Sequence, residues 1–260
     1  MTGGDGRRFV ITGSASGIGL ATRQRIERTG GRVIGLDRAG AEIEADLAEA
    51  GARRAAVESI RSMTNALDSV IVCAGIGRPE PETVSVNYFG AVEILEGLRP
   101  LLARGRRPRA VAVVSMAIVH EASAAIVDAC LRGDEPGARS AAEGQGALIY
   151  RSSKRALARW VRRAAVTHAW AGYGIALNGV APGVVRTPMT ADLLDDPTQV
   201  ARLRADTPMP LGGPAEADDI ASVLEWFASP ACAMVTGQCL FADGGSDALL
   251  RGDDVWARPI

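Results

Sequence analysis

The sequence has few histidines and cysteines, no long apolar run and no excess of charge, and each shortage excludes a class of function. Its two histidines lie far apart and its four cysteines show no Cys-x-x-Cys spacing, which argues against a metal site. No apolar run approaches the roughly 18 residues that a membrane-spanning helix needs. A formal net charge of −1 predicts no global attraction to nucleic acid or to an anionic membrane.

Length and composition indicate a soluble globular protein with a sizeable core. The 260 residues suffice for one large α/β domain, and 47% hydrophobic with 23% charged residues is typical of folded chains. The arginine-rich segment 104–109 is interpreted as a solvated loop in preference to a phosphate or nucleic-acid patch. The first strand-like segment begins by Arg8, which leaves no room for a signal peptide, so a cytoplasmic location is predicted.

Short apolar segments alternate with helical patterns along the chain. The predicted strands are nearly continuous in apolar character, as expected for strands covered on both faces: 8–12, 32–36, 69–74, 110–115, 174–182 and 238–245. The predicted helices fill the gaps between them: roughly 17–29, 51–63, 84–104, 149–171 and 216–228. The alternation predicts one α/β domain over residues 1–260, a Rossmann-type doubly wound parallel sheet with helices on both faces.

One insertion, residues 117–147, interrupts this alternation between the strand ending at Ser115 and the following helix. Within it, residues 123–132 are predicted as a short helix with a serine cap and residues 133–137 as a turn. An insertion at the carboxyl end of such a strand lies over the ligand crevice. A helical lid on a substrate pocket is therefore the preferred interpretation; a subunit contact or a merely tolerated loop is the alternative.

Three glycines, Gly13, Gly17 and Gly19, connect the first predicted strand to the first predicted helix. Gly13 permits a sharp turn, Gly17 lets the backbone approach a pyrophosphate, and Gly19 allows the helix to pack closely against the sheet. The helix N-terminus then presents unpaired N–H groups and a positive dipole end to phosphates. Strand, glycines and helix in this order predict a dinucleotide site.

The second predicted strand ends near Asp37, which indicates the identity of the dinucleotide. A carboxylate at that position accepts the hydroxyls of the adenosine ribose and repels a 2′-phosphate, so NAD is the predicted cofactor. Arg38, the next residue, keeps NADP open as the less favoured alternative.

Lysine is the scarcest basic residue: Lys154 is the single lysine among 29 basic residues, and it follows Tyr150 by four positions. On a helix this spacing places both side chains on one face. A tyrosine with an ordinary pKa near 10 is a poor base at neutral pH, and a neighbouring cation lowers that pKa. A compact ammonium can do this while donating to ribose hydroxyls, a combination that the wide fork of arginine does not match.

A series of ordered motifs resembles the short-chain dehydrogenase/reductase family over essentially the full length of the chain. Besides Asp37, the matching segments are "TGSASGIG" (12–19), "DL" (46–47), "CAG" (73–75), "VNYFGA" (86–91), "VVS" (113–115), "YRSSK" (150–154), "LNGVAPGVVRTPM" (177–189) and "GQCLFADGG" (237–245).

The resemblance implies a catalytic set of Asn87, Ser115, Tyr150 and Lys154. It makes Tyr150 the general acid/base and gives Ser115 a hydrogen bond to the substrate oxygen. It has Lys154 lower the tyrosine pKa and hold the nicotinamide ribose, while Asn87 shapes a helix and positions a water for proton relay.

The family pattern also implies a set of cofactor contacts: Gly13, Ser16, Gly17, Ile18, Gly19, Asp37, Asp46, Leu47, Cys73, Ala74, Gly75, Tyr150, Lys154, Pro182, Gly183, Val185 and Thr187. The sequence departs from that pattern at two points. Cys73, interpreted as a small core hydrophobe and not a nucleophile, stands where the family usually has asparagine. A single serine ends the serine-bearing strand, so the catalytic position falls on Ser115 or on Met116; strand length favours Ser115.

The long insertion makes the chain most similar to the bacterial 3α-hydroxysteroid dehydrogenase/carbonyl reductase subgroup. That resemblance implies a reversible NAD-linked oxidation of a hydrophobic secondary alcohol to a ketone, in a homodimer or homotetramer. Ile126, Val127 and Leu131 of the insertion suit an apolar substrate, although such residues more often pack the insertion itself. A terpene alcohol or dihydrodiol as substrate, or a non-catalytic NAD-binding sensor, are the alternatives.

Overall fold

A computed structural model describes residues 6–255, so the predicted domain of residues 1–260 extends beyond the described part at both ends. Its strands are β1 (Arg8–Thr12), β2 (Arg32–Asp37), β3 (Ile43–Glu44), β4 (Ser69–Val72), β5 (Arg109–Val113), β6 (Ala176–Pro182), β7 (Val185–Arg186), β8 (Ala215–Glu216) and β9 (Cys239–Ala242). Its helices are α1 (Gly17–Arg28), α2 (Ala50–Met63), α3 (Glu82–Val84), α4 (Ala91–Leu102), α5 (Ala124–Arg132), α6 (Glu135–Ala142), α7 (Leu148–Ala164), α8 (Ala191–Asp195), α9 (Pro197–Asp206), α10 (Ala217–Ala228) and α11 (Ser246–Arg251). A π-helical turn (Ser85–Gly90) joins α3 to α4, and 3₁₀ turns cover Met116–Val119 and Ala171–Tyr173.

Seven strands form one parallel sheet in the order β3-β2-β1-β4-β5-β6-β9, and β7 pairs with β8 in a small second sheet. The strand order reverses between β1 and β4, because β2 lies beside β1 on one side and β4 on the other. In sheets of this kind the crevice beyond the carboxyl ends of the strands at the reversal point holds the ligand. The predicted fold class, a doubly wound parallel sheet, is confirmed.

Both faces of the sheet are covered, and successive residues of a strand enter different cores. Val10 belongs to the core that contains α2, α4 and α7, whereas its neighbours Phe9 and Ile11 belong to the core that contains α1 and α10. This alternation follows from the two-residue side-chain period of a strand, and burial on both sides accounts for the continuous apolar segments.

The helices and strands differ from the predicted boundaries in a few places. The helix predicted over 149–171 ends at Ala164, and a single helix predicted over 84–104 is divided by the π-helical turn. The elements that were not predicted are β3, β7, β8, α6, α8, α9 and α11. β3 has two residues and carries little apolar pattern, and the α8–α9 segment is largely exposed, so neither produces the periodicity of a buried element.

The insertion is helical, as predicted, but it packs against the core. The Ser123 hydroxyl accepts from Ile126 N at 3.5 Å and begins α5, which confirms the predicted cap. The turn predicted over 133–137 is wrong beyond Asp134, because that carboxylate caps α6 by accepting from Gly137 N at 2.9 Å.

Apolar residues of the insertion point inward, so they pack its own helices as the alternative interpretation stated. Ile126 and Val127 are buried in the core that α7 shares. The α7 side chains fix the entry to the insertion, since Arg155 donates to the Ile118 carbonyl at 2.6 Å and Ser152 accepts from Ser123 N at 2.8 Å.

Within residues 6–255, no helix is long and apolar enough to cross a membrane. In the same described part of the chain, no group of three or more His, Cys, Asp or Glu side chains could hold a metal ion.

Candidate active site

The loop between β1 and α1 is shaped by the absence of side chains at its glycines. Gly13 has φ +68°, and a Cβ on it would lie 2.8 Å from Ala74 N. A Cβ on Gly19 would lie 2.0 Å from the Gly13 carbonyl oxygen, so only glycine lets α1 start this close to the loop. Gly17 has φ +51° and faces Thr187, whose Cγ2 would be 3.2 Å from an added Cβ. The loop therefore exposes bare backbone N–H groups to the cleft.

Asp37 at the end of β2 is held against the glycine loop. One carboxylate oxygen accepts from Ala15 N at 2.9 Å and the other from Arg38 N at 2.7 Å. Each oxygen keeps a second lone pair, so the carboxylate can accept two further hydrogen bonds. Next to it, Asp46 accepts from Ala48 N at 2.9 Å and fixes the turn that precedes α2.

The loop after β4 lies opposite the glycines. Ala74 N donates to Thr12 Oγ1 at 3.1 Å, which ties the end of β4 to the end of β1. Burial raises the pKa of Cys73 to about 12, and the nearby Lys154 ammonium opposes that shift. The thiol is therefore protonated at neutral pH, which is the state expected of a small hydrophobe and not of a nucleophile.

Ser115, Tyr150 and Lys154 line the same cleft at the carboxyl end of β5. Ser115 accepts from Ala117 N at 3.2 Å, and its hydroxyl also interacts with the phenol of Tyr150. Met116 does not line the cleft, and its sulfur accepts from Thr207 Oγ1 at 3.3 Å, so of the two alternatives it is Ser115 that faces the cleft.

The buried Lys154 ammonium donates to the Val113 carbonyl at 2.9 Å, which leaves two N–H donors free. Burial lowers the pKa of Lys154 to about 8. Burial raises the pKa of Tyr150, and the Ser115 hydroxyl opposes that rise. Lys154 Nζ lies 6.0 Å from the centroid of the Tyr150 ring, and the lowering of the Tyr150 pKa by Lys154 that the resemblance implies stays a prediction.

Asn87 lies in the π-helical turn behind the cleft and does not line it. Its Oδ1 accepts from Ile76 N at 2.8 Å, and its Nδ2 donates to the Ile76 carbonyl at 2.9 Å and to Ser153 Oγ at 3.1 Å. A Cβ on Gly75 would lie 3.1 Å from Asn87 Oδ1 and 3.2 Å from Lys154 Nζ. Asn87 thus joins the loop after β4 to α7 and approaches Lys154 through the gap at Gly75.

Apart from Asn87, the structure brings the residues implied by the resemblance to one cleft of about 300 Å³. Every predicted cofactor contact, from the glycine loop to Thr187, lines its wall, together with Ser115. No residue of 117–147 lines this cleft, and the lid on a substrate pocket stays a prediction.

The cleft wall also contains residues that were not predicted. Arg78 and Ile76 follow the loop after β4, and Met189 and Thr190 follow Thr187. Thr190 Oγ1 donates to the Val185 carbonyl at 2.5 Å and accepts from Thr187 N at 3.1 Å. Neither Thr190 nor Arg78 lies in a local pattern that could have indicated it.

Two family models match the chain. Residues 7–127 match the model described as short chain dehydrogenase, and residues 136–247 match the model described as enoyl-(acyl carrier protein) reductase.

Known proteins similar to this chain include dehydrogenases of ring alcohols. The 3-alpha-hydroxysteroid dehydrogenase/carbonyl reductase of Comamonas testosteroni is 38% identical, over 94% of this chain and 97% of that protein. The cis-4-hydroxycyclohexanecarboxylate dehydrogenase of Sinomonas cyclohexanicum is 32% identical, over 94% and 97%. The crystal structure of the 3-alpha-hydroxysteroid dehydrogenase from Pseudomonas sp. B-0831 complexed with NADH has a TM-score of 0.88 and 41% identity, covering 94% of this chain and 98% of that one.

Proposed function

Because the chain belongs to the short-chain dehydrogenase/reductase family, we propose that it catalyses the reversible NAD-linked oxidation of a hydrophobic secondary alcohol to a ketone, with a 3α-hydroxysteroid as the substrate type. The observation that carries the proposal is that Ser115, Tyr150 and Lys154 line the same cleft as the glycine loop and Asp37. Nucleotide-binding and proton-transferring groups thereby lie within reach of one bound dinucleotide.

The residues of the cleft fit NAD. The glycine loop and the N-terminus of α1 suit a pyrophosphate, and the free lone pairs of Asp37 suit ribose hydroxyls. The negative charge of Asp37 favours NAD over NADP. When bound, the nicotinamide supplies the chemistry of accepting a hydride from the alcohol carbon or returning one to the ketone.

Tyr150 is the proposed general acid/base. Burial raises the pKa of its phenol, so at neutral pH the group holds a proton that it can donate to the oxygen of a ketone. In the oxidative direction the phenolate takes the hydroxyl proton of the alcohol. The Ser115 hydroxyl, which interacts with the Tyr150 phenol, would donate to the same substrate oxygen when substrate binds and orient it toward Tyr150.

Lys154 and Asn87 are proposed to support this step. The two free donors of Lys154 suit the hydroxyls of the nicotinamide ribose, and its positive charge stabilises a nearby phenolate once that forms. Asn87 holds the loop after β4 and α7 in register beneath the cleft; the predicted proton relay through a water beside it remains part of the proposal.

The test is a substrate panel incubated with NAD and, separately, with NADP. It contains 3α- and 3β-hydroxysteroids, a hydroxycyclohexane carboxylate, a terpene alcohol and an aromatic dihydrodiol, and NADH formation is followed by absorbance. We expect turnover of the 3α-hydroxysteroid with NAD. Turnover of only a terpene alcohol or dihydrodiol would replace the substrate type and keep the mechanism. Tight NAD binding without turnover of any alcohol would favour a non-catalytic sensor.

We further propose a homo-oligomer in the cytoplasm. β9 lies at the edge of the sheet and exposes Leu240, and such an edge favours pairing with a second copy. The four cysteines are unpaired, which suits a reducing compartment. Light scattering that gives the mass of a monomer would contradict the homo-oligomer. Recovery of the protein in a non-cytoplasmic cell fraction would contradict the cytoplasmic location.

A further inference from the structure

Arg53 on α2 is the most deeply buried charged side chain near the cleft, with none of its side chain exposed. Its Nε and Nη2 donate to the two carboxylate oxygens of Glu93 on α4 at 2.8 and 3.1 Å. Its Nη1 and Nη2 also contact the two carboxylate oxygens of Glu135, the first residue of α6. One planar guanidinium thus binds two carboxylates, each by two contacts.

The remaining contacts of Arg53 reach the wall of the cleft. Nη1 donates to the carbonyls of Leu47 and Ala48 at 3.0 and 3.2 Å. Leu47 lines the cleft, as do the two residues before it. Its other side is confined by Gly90 of the π-helical turn, where an added Cβ would lie 3.0 Å from Leu47 Cβ. The loop 45–48 is therefore held between the Arg53 guanidinium and that turn.

Glu135 brings the insertion into this arrangement. It begins α6, and from the same helix Arg139 donates to Ser85 Oγ at 2.9 Å in the turn that carries Asn87. The insertion thus contacts two parts of the structure behind the cleft: the Arg53 side chain that binds the loop 45–48, and the π-helical turn. It does not line the cleft.

Stability alone is a weak explanation for such a cluster. Taking a guanidinium and two carboxylates out of water costs desolvation energy, and apolar side chains of similar volume often stabilise a fold equally well. An apolar side chain, however, could not donate to the Leu47 and Ala48 carbonyls. What arginine adds is a fixed position for a backbone loop of the cleft.

We propose that Arg53 is a positioning residue for the adenosine end of the cofactor, and that Glu135 completes it, so that the insertion acts on cofactor affinity. The inference rests on the proposed function, since it assumes that NAD binds with its adenosine between Asp37 and the loop 45–48. The Arg53 guanidinium fixes the position of the loop 45–48 by donating to the Leu47 and Ala48 carbonyls. The carboxylates of Glu93 and Glu135 fix the position of the guanidinium.

The test compares Glu135→Gln with Glu143→Gln in the full-length protein. Glutamine at 135 keeps the size but presents an N–H₂ group to a guanidinium that also carries only donors. Glu143 is an exposed carboxylate just after α6 in the same insertion. Dissociation constants are measured by calorimetry for NAD and for ADP-ribose, which lacks the nicotinamide, and kcat and the alcohol KM are measured at saturating NAD.

We expect Glu135→Gln to weaken NAD and ADP-ribose by the same factor, about three- to tenfold, with kcat and the alcohol KM unchanged. Glu143→Gln should change none of them. Arg53→Lys, which keeps the charge but loses the fork, should weaken ADP-ribose further.

Unchanged ADP-ribose affinity in Glu135→Gln, with or without a lower melting temperature, would overturn the proposal and leave the cluster a structural role. A higher alcohol KM with unchanged ADP-ribose affinity would also overturn it, because the insertion would then act on the substrate. Failure of the proposed function looks different, since the wild-type protein itself would then oxidise no alcohol of the panel.

Discussion

The two ends of the cleft are built in different ways. At the nucleotide end, the site is made of backbone: Gly13 and Gly19 leave no space for a Cβ. At the catalytic end, the site is made of buried titratable side chains, and burial shifts the pKa of both Tyr150 and Lys154. The first end depends on shape and the second on the cost of burying charge. Cofactor binding and proton transfer should therefore respond to different substitutions.

Gly19→Ala should have the largest effect at the nucleotide end. Its Cβ would lie 2.0 Å from the Gly13 carbonyl oxygen, so either the loop or α1 has to move. We expect NAD affinity to fall on the order of 100-fold and the free energy of unfolding to fall by about 2 kcal/mol. Gly51→Ala is the control, because a Cβ there meets nothing within 4 Å. Calorimetry that finds equal NAD affinity in both variants would refute the steric account.

Asp37→Asn should change the choice of cofactor. The variant loses a charge that binds ribose hydroxyls and repels a 2′-phosphate, and a charged hydrogen bond contributes about 1.5–3 kcal/mol. The ratio of kcat/KM for NAD to that for NADP should fall about tenfold or more. Because the ratio compares both cofactors on the same variant, a general distortion of the loop would affect both values of kcat/KM and leave the ratio unchanged. An unchanged ratio would remove Asp37 from cofactor selection.

The pH dependence of alcohol oxidation and of ketone reduction should report on the titration of Tyr150 and Lys154. Burial raises the pKa of Tyr150, so the phenolate needed for alcohol oxidation is scarce at neutral pH, and its fraction grows about tenfold per pH unit below that pKa. Oxidation should therefore rise with pH. The rise should flatten above about pH 8, where Lys154 loses the charge that favours the phenolate. Ketone reduction, which needs the phenol, should fall at alkaline pH. A rate of oxidation independent of pH below 8 would exclude Tyr150 as the base.

The smallest predicted effect is a change in the melting temperature of Lys154→Met. The same substitution should abolish turnover. Burial lowers the Lys154 pKa from 10.5 to about 8, so between these values the unfolded chain binds more protons than the folded one and stability rises with pH. At pH 7 the buried charge destabilises the fold, and its removal should raise the melting temperature by about 2–4 °C despite the lost bond to Val113. Calorimetry at pH 7 and pH 10 should find a smaller gain at pH 10. A melting temperature of Lys154→Met below that of the wild-type protein at pH 7 would contradict the claim that the buried Lys154 charge destabilises the fold.

Local chemistry explains why most of the site could be predicted. The glycine loop and the Tyr150–Lys154 spacing are determined within one turn or one helix, so their side chains point where the sequence indicates. The strands of the sheet could be predicted as well, because burial on both faces gives them continuous apolar segments. Short exposed elements such as α8 have no apolar periodicity and could not be predicted.

Contacts distant in sequence explain what could not be predicted. The sequence did not show where the insertion packs: Ile126 and Val127 lie in the core that α7 shares. Arg53 was missed although its position carried an indication: it shares the buried face of α2 with Ala56, Val57 and Ile60. A charge on a buried stripe requires partners, and only the fold identifies them as Glu93 and Glu135.

Tyr150→Phe tests the central claim most directly, because it removes one oxygen from the cleft and leaves the ring. NAD affinity is measured by calorimetry and NADH formation by absorbance, with the alcohol that the wild-type protein oxidises. The account predicts NAD affinity within about twofold of wild type and turnover at least about 100-fold lower. Turnover close to that of the wild-type protein would show that another group transfers the proton.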